Sequence, residues 1–171
     1  SPSELDPRLA QIGVDGAVLG AGAFVRLGES WVQERTMSTE QARRMIEVFL
    51  DLGLDYVLQC RDGVYPVASR RREMRRMLGI DGREGLGDGE PLDALHVAEN
   101  APLDRIAKAI FLGVAPDAFE QVRAVLGAEG FSVITGTIPQ LGTGGGEVSL
   151  AGVNKGAAIQ GLLDELGIPA E

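Results

Sequence analysis

The sequence predicts an α/β chain of the α+β kind, in which an antiparallel β-sheet carries helices packed on one face. Three observations lead to this prediction. Pairs of short strand-like segments are joined by turn residues, as in antiparallel hairpins. A capped amphipathic helix separates the first two pairs, with apolar residues at helical spacing. Two helix-to-strand passages, FLDLGLDYVLQC and VLGAEGFSVITG, align loosely and indicate duplicated αβ units within one sheet.

The first hairpin and the helix after it come from the N-terminal third of the chain. Residues 16–37 predict a hairpin, with AVLGAGAFVRL as one strand, a turn at residues 28–30, and WVQERTM as the other strand. Ser38 and Gln41 have the spacing of a capping box, and Gly53 marks the end of the helix. The apolar positions of this helix are Ala42, Met45, Ile46, Phe49 and Leu50.

A second hairpin follows, over residues 56–60 and 64–68, with an Asp-Gly turn between its strands. Pro66 cannot donate a hydrogen bond to a neighbouring strand, so the second strand is expected at the edge of the sheet. The segment SRRREMRRML, residues 69–78, predicts a short helix that is rich in arginine. Its arginines form either a solvated helix face or a patch that faces an anion. A glycine-rich loop over residues 79–91 follows.

The second half of the chain repeats the alternation. Residues 107–114 predict a strand, and Pro116 suits the first turn of the next helix. Residues 131–138 predict another strand, the loop Gly142–Gly146 a turn, and residues 147–153 a final strand. The apolar positions of the helix are Phe119, Val122, Val125 and Leu126.

A last helix is predicted over residues 155–166. Asn154 is a good N-cap residue, and Gly167 follows the last helical position. The predicted apolar face consists of Ile159, Leu162, Leu163 and Leu166. This apolar face should dock on the rest of the chain, form a homo-oligomer interface or fray.

Composition excludes several classes of function. The chain has 171 residues and a formal net charge of −9, so nucleic acid is not expected as a partner. A single Cys and a single His exclude a disulfide scaffold and a zinc site built by them alone. No apolar run is long enough to span a membrane, and the N-terminus lacks the features of a signal peptide. We therefore expect a cytoplasmic protein that has no membrane partner.

The sequence contains few catalytic motifs. It has no G-x-S-x-G, P-loop, H-E-x-x-H or complete G-x-G-x-x-G pattern. The exception is Gly152–Gly156, where a strand leads into a helix with Lys155 in its first turn. A cation at this position opposes the helix dipole, and a bound phosphate would account for it, because backbone amides and the ammonium group could converge on one anion. The alternative is a solvated lysine that follows the N-cap.

The C-terminal run EVSLAGVNKGAAIQGLLDELGIPAE resembles a segment of the Cof-type phosphatases of the haloacid dehalogenase (HAD) superfamily. In that family the segment carries the lysine of the third catalytic motif. Upstream, Gly22, Ala23 and Val25 match the family pattern N-G-A-x-V, and Ala21 stands where Asn is usual. The matching residues of the C-terminal run are Glu147, Val148, Gly152, Val153, Lys155, Gly156, Ala158, Leu162, Leu166, Gly167 and Ile168.

The resemblance implies a type IIB cap domain over residues 16–150. Residues 1–15 would be a linker or remnant of the core domain, and residues 151–171 a core remnant that carries the catalytic Lys155. In the parent enzyme implied by the family, an Asp attacks phosphorus to form an aspartyl-phosphate, Mg²⁺ is the cofactor, and the substrates are small phosphorylated metabolites such as sugar phosphates. The candidate substrate-binding residues of this chain are Asn154, Arg71, Arg72 and Arg75, with the loop Gly142–Gly146 as a further candidate.

Several motifs of the family do not occur in this sequence. The D-x-D-G-T motif of the nucleophile, the following Thr or Ser motif and the G-D-x-x-N-D motif of the magnesium ligands are all missing. We therefore expect the chain to be a cap-domain fragment that binds no metal and is inactive by itself. Two alternatives remain: a non-catalytic binding module with a cap fold, and a member retuned as a phosphomutase or a mannosyl-phosphoglycerate-type phosphatase.

Overall fold

Two antiparallel sheets and three helices organise the chain in a computed structural model, which describes residues 13–70, 97–113, 115–136 and 144–169. The three-stranded sheet has the order β1-β2-β3, and the five-stranded sheet has the order β5-β4-β6-β8-β7. None of the described helices is long and apolar enough to cross a membrane. The strands are β1 Gly16–Leu19, β2 Phe24–Leu27, β3 Ser30–Glu34, β4 Asp55–Gln59, β5 Val64–Pro66, β6 Lys108–Leu112, β7 Phe131–Thr135 and β8 Gly146–Leu150; the helices are α1 Thr39–Asp51, α2 Ala118–Ala128 and α3 Lys155–Leu166.

The three-stranded sheet corrects one prediction. The segment expected as a single strand before the turn at residues 28–30 forms two strands, β1 and β2, which pair antiparallel with Leu19 opposite Phe24. Gly20–Gly22 makes a tight 3₁₀ turn between them, with φ of 56° at Gly20, 58° at Ala21 and 102° at Gly22. Three consecutive residues at positive φ reverse the chain direction, and the apolar pattern on either side of small residues does not reveal such a reversal.

Helix α1 begins with the predicted capping box. The Ser38 side chain accepts a hydrogen bond from the Gln41 amide at 3.2 Å, and Gln41 Oε1 accepts one from the Ser38 amide at 2.9 Å. Met45 and Phe49 are fully buried beneath the helix. Leu50, which the spacing placed on the apolar face, is exposed because that face is narrower than five positions.

The five-stranded sheet contains the predicted duplication. Helix α1 is followed by the hairpin β4–β5, and α2 is followed by the hairpin β7–β8. Strand β6 lies between β4 and β8 and joins the two units in one sheet. Pro66 lies on β5, which is an edge strand, as its missing N–H group required.

Both helices pack on one face of the five-stranded sheet and enclose the main core. Phe111 lies at the centre, with ring centroids 5.6 Å from Phe49 and 6.4 Å from Phe119. Val122 and Leu126 of α2 are fully buried in the same cluster. The core is therefore shared by the two units, and neither helix could bury its apolar face without the common sheet.

Cys60 lies in this core with no exposed surface. Burial, aided by the nearby Asp62 carboxylate, raises the pKa of the thiol to about 12. We expect the native thiol to react with Ellman's reagent at pH 8 about 100-fold more slowly than the urea-unfolded chain, since only the accessible thiolate reacts.

The same pKa predicts how stability depends on pH. The folded thiol keeps its proton above pH 8.5, where the unfolded thiol loses it, so the free energy of unfolding should fall as the pH rises from about 8.5 towards 12. Urea unfolding across this range should show a steeper fall for the parent chain than for Cys60→Ala. Equal pH slopes would contradict the assignment.

Candidate functional site

Lys155 occupies the first turn of α3, the position that the sequence predicted, and its side chain is exposed. Asn154 caps this helix through its Oδ1 atom, which accepts a hydrogen bond from the Ala157 amide at 2.9 Å. The Ala158 amide donates to the Asn154 carbonyl oxygen and closes the first helical turn. The amides of Lys155 and Gly156 belong to the four that an α-helix leaves without intrahelical acceptors. Ammonium and amide donors thus occur together at the start of α3.

A tight turn aims the chain from β8 into α3. The strand predicted over residues 147–153 ends at Leu150, whose carbonyl oxygen accepts a hydrogen bond from the Val153 amide at 3.2 Å. Gly152 has a φ of 80° inside this turn. The strand is shorter than expected, so residues 151–154 separate the end of β8 from Lys155.

The turn Gly20–Gly22 touches the backbone that leads into α3. A Cβ atom on Gly22 would lie 2.3 Å from the Asn154 carbonyl carbon and oxygen and 2.8 Å from the Lys155 nitrogen. The Gln33 side chain donates a hydrogen bond to the Gly22 carbonyl oxygen at 2.9 Å and holds the turn in place. Only glycine fits this close approach. The sequence resemblance included both segments but did not reveal that they touch. The glycine at position 22 is the one feature of the sequence that could have indicated this contact.

Helix α3 packs on the three-stranded sheet by a smaller face than the spacing predicted. Ala158 is buried, and Leu162 and Leu163 are half-buried. Ile159 and Leu166, expected on the same apolar face, are 47% and 45% exposed. The small Ala158 side chain lets the helix approach the turn Gly20–Gly22 closely, and this contact sets the rotation of the helix.

The three-stranded and five-stranded sheets meet near this helix. Ala107, just before β6, packs against Ala23 and Phe24. The Arg61 guanidinium lies 5.5 Å from the Trp31 ring centroid and forms an ion pair with Glu34. These contacts join the β4–β5 turn and the start of β6 to the three-stranded sheet. The end of the five-stranded sheet that holds them is therefore the end nearest α3.

The structure does not describe the three arginines that were predicted to bind substrate. Arg71, Arg72 and Arg75 lie outside the described residues, so their place relative to Lys155 stays a prediction. Of the same arginine run, Arg70 donates a hydrogen bond to Asp55 at 2.7 Å.

The glycine-rich loop before β8 is described from Gly144 onward, and this part is buried. A Cβ atom on Gly144 would lie 2.5 Å from the Ala115 carbonyl oxygen and 2.7 Å from that of Gly113. Close backbone packing therefore accounts for glycine at this position.

Among the described residues, no group of three or more His, Cys, Asp or Glu side chains is placed to hold a metal. Mg²⁺ prefers an octahedral set of oxygen ligands that includes carboxylates. The arrangement around Lys155 offers cationic and amide donors, which suit an anion.

Comparisons with solved structures identify the fold. A subclass IIB sugar phosphatase of the HAD superfamily aligns with a TM-score of 0.69 at 13% identity, over 98% of this chain and 60% of its own. A HAD-superfamily phosphatase from Bacteroides thetaiotaomicron aligns with a TM-score of 0.67 at 15% identity, over 99% of this chain and 57% of its own. A haloacid dehalogenase-like hydrolase from B. subtilis aligns with a TM-score of 0.66 at 13% identity, over 94% and 62%.

The amino-acid sequence matches no family model and no curated protein. The chain spans about three fifths of the length of the three solved structures. At these identities the structural likeness concerns the fold. The prediction of a type IIB cap-like fold is confirmed: the chain has the fold of the HAD superfamily subclass IIB phosphatases over part of their length.

Proposed function

We propose that this chain forms the cap and the lysine segment of a HAD-type phosphatase that hydrolyses small phosphorylated metabolites, sugar phosphates in particular. The observation that carries the proposal is the exposed Lys155 on the first turn of α3, in a fold shared with phosphatases. One of the matching structures is a sugar phosphatase, which supports this substrate class. The cytoplasmic location and self-association through α3 stay predictions.

Lys155 would act on the phosphoryl group by electrostatics. Its ammonium group and the amides of the first turn offer hydrogen-bond donors and positive charge to an oxyanion. The positive end of the helix dipole also attracts the oxyanion. Asn154 would position this group, because its Oδ1 atom is engaged with the Ala157 amide and fixes the start of the helix. Gly22 would hold the same backbone from the other side.

In the proposed reaction, the attacking carboxylate and the magnesium site would come from residues outside this sequence, because the D-x-D-G-T and G-D-x-x-N-D motifs do not occur in it. The chain alone is therefore expected not to hydrolyse p-nitrophenyl phosphate in the presence of magnesium. Release of p-nitrophenol by the purified chain should equal that of Lys155→Ala. Turnover that survives repurification and disappears in Lys155→Ala would contradict this expectation.

Phosphate binding tests the role of Lys155 without turnover. Titration of the ¹⁵N-labelled chain with inorganic phosphate should shift the amide signals of Lys155, Gly156 and Ala157. Lys155→Met should weaken binding about 10- to 150-fold, because a charge-assisted hydrogen bond contributes about 1.5–3 kcal/mol.

The matched control is Arg43→Met, which removes one exposed positive charge from α1. It should leave the Kd for phosphate within about twofold of the parent value, since long-range charge effects are screened at physiological salt. An equal loss in both variants would indicate non-specific attraction and would overturn the assignment of Lys155.

A further inference from the structure

The Gln33 side chain connects strand β3 to the turn Gly20–Gly22. Its amide nitrogen donates a hydrogen bond to the Gly22 carbonyl oxygen at 2.9 Å. Gln33 is half-buried, and its backbone pairs with Val25 of β2. Because this pairing fixes the backbone, the three-stranded sheet determines where the amide group of Gln33 can lie. The hydrogen bond therefore ties the turn to a rigid part of the fold.

The turn Gly20–Gly22 has a strained backbone. Among the described residues, Ala21 is the only one other than glycine with a positive φ, 58°. A Cβ atom disfavours this conformation, because it lies too close to the following carbonyl oxygen. Strained backbone persists only where surrounding contacts hold it. Within the turn, the Ala23 amide donates to the Gly20 carbonyl oxygen at 3.1 Å, and Gln33 adds a hydrogen bond from outside.

The peptide that joins Asn154 to Lys155 lies against Gly22. A Cβ atom on Gly22 would be 2.3 Å from the Asn154 carbonyl group and 2.8 Å from the Lys155 nitrogen, so the two backbones are already in contact. The Asn154 carbonyl oxygen accepts the first helical hydrogen bond, from the Ala158 amide at 3.0 Å. The Lys155 amide belongs to those that a helix leaves without an intrahelical acceptor. A shift of the turn would displace both groups.

We infer that Gln33 is a positioning residue for Lys155 and acts through the carbonyl group of Gly22. The inference rests on the proposed function, in which Lys155 and the amides of the first turn of α3 hold a phosphate. Gln33 needs no contact with that phosphate. It holds the strained turn against the start of the helix and so keeps the donors of the site converged. Donors that are already in place bind an anion more tightly than donors that binding must first order.

Hydrogen exchange of the unliganded chain tests the first step, the coupling of Gln33 to the helix start. Gln33→Met keeps a side chain of similar length and removes the donor. The amides of Ala157 and Ala158, which are bonded to Asn154 in the parent chain, should exchange up to about fivefold faster in this variant. Fivefold corresponds to about 1 kcal/mol, the usual net contribution of one hydrogen bond. Unchanged exchange at both amides would overturn the inference.

Titration with inorganic phosphate tests the second step, the effect on anion binding. The Kd of ¹⁵N-labelled Gln33→Met should be about three- to fivefold higher than that of the parent chain. Only molecules with an ordered turn bind the anion at full strength, so the apparent Kd rises as their fraction falls. The energy of one hydrogen bond sets the upper limit of this rise. A Kd equal to that of the parent chain would show that Gln33 does not position the site.

Thr36→Val is the matched control. Thr36 Oγ1 donates to the Asp104 carbonyl oxygen at 3.3 Å, so this variant also removes a hydrogen bond from a side chain to a distant backbone carbonyl. That hydrogen bond does not involve the turn Gly20–Gly22. Both variants should lower the urea midpoint by a similar small amount, but only Gln33→Met should raise the Kd for phosphate. An equal rise in Thr36→Val would indicate general destabilisation and would overturn the inference.

A second substitution tests whether the effect passes through the turn. Ala21→Gly removes the Cβ atom that disfavours a positive φ, so the turn depends less on outside support. Added to Gln33→Met, it should bring the Kd for phosphate back towards the parent value. A Kd that stays as high as in Gln33→Met alone would contradict a route through the turn.

The failures of the two proposals are distinguishable. If phosphate shifts the Lys155 signals of the parent chain and Gln33→Met binds it with the same Kd, Gln33 is not a positioning residue and the proposed function stands. If phosphate does not shift the Lys155 signals of the parent chain, the proposed phosphate site is overturned, and the inference is overturned with it.

Discussion

Gly22→Ala is expected to lower the free energy of unfolding by about 3–5 kcal/mol, which places it among the most destabilising single substitutions. The new methyl carbon would lie 2.3 Å from the Asn154 carbonyl group, and it would meet backbone atoms that cannot rotate away. The φ of 102° at Gly22 adds strain for any residue with a Cβ atom. Either the turn Gly20–Gly22 or the start of α3 must move.

Urea unfolding measures the loss of stability in Gly22→Ala, and hydrogen exchange measures the local effect on α3. Amides of residues 158–166 should lose protection in Gly22→Ala, because α3 packs on the turn that is displaced. Gly28→Ala is the matched control: Gly28 also has a positive φ, 56°, but no atom of the described residues lies within 4 Å of the place that its new methyl group would take. Gly28→Ala should lower the free energy of unfolding by about 1–2 kcal/mol, through backbone strain alone. Equal losses would show that conformation, and not the contact with Asn154, requires glycine at position 22.

Phe111→Ala is expected to lower the free energy of unfolding by about 3–5 kcal/mol, the usual cost of truncating a fully buried phenylalanine. Phe111 has no exposed surface and packs against Phe49 of α1 and Phe119 of α2. Its removal opens a cavity at the point where both helices meet the central strand β6. Because the sheet cannot collapse into this space, both duplicated units should be weakened together.

The cooperativity of unfolding is the second measurement for this variant. Chemical denaturation followed by circular dichroism and by Trp31 fluorescence should give coincident transitions at a lower urea midpoint. Ile134→Ala is a suitable control, since Ile134 lies on the edge strand β7 and is 52% exposed. It should change stability by about 0.5 kcal/mol or less. A similar cost in both variants would contradict the central place of Phe111 in the core.

Local patterns predicted the elements whose formation depends on neighbouring residues. The capping box of α1 forms because Ser38 and Gln41 satisfy each other's backbone amides three residues apart. Pro66 lies on an edge strand because it has no N–H group to donate. Asn154 caps α3 through the amide three residues further on. Each of these interactions is contained within a few residues, so the sequence alone was sufficient.

The same patterns failed where distant segments decide the conformation. The segment before residue 28 has an apolar pattern that suits one strand, but three residues at positive φ turn it into two. The apolar spacing of α3 gave a face of four residues, but contact with the three-stranded sheet selected Ala158 and left Ile159 exposed. Spacing shows which residues share a face, and packing partners determine which face is buried.

The candidate site divides in the same way. The residue types near Lys155 indicate an anion site without any knowledge of the fold, because a lysine beside a capped helix start is a local feature of the sequence. The contact of Gly22 with Asn154 joins residues that are far apart along the chain, and the hydrogen bond from Gln33 to Gly22 joins two different elements. Strand register and backbone contact are set by how the whole sheet assembles, since many long-range pairings compete until the shared core is formed. The sequence thus indicated Lys155 as a candidate anion-binding residue, and only the tertiary structure placed the turn Gly20–Gly22 against the start of its helix.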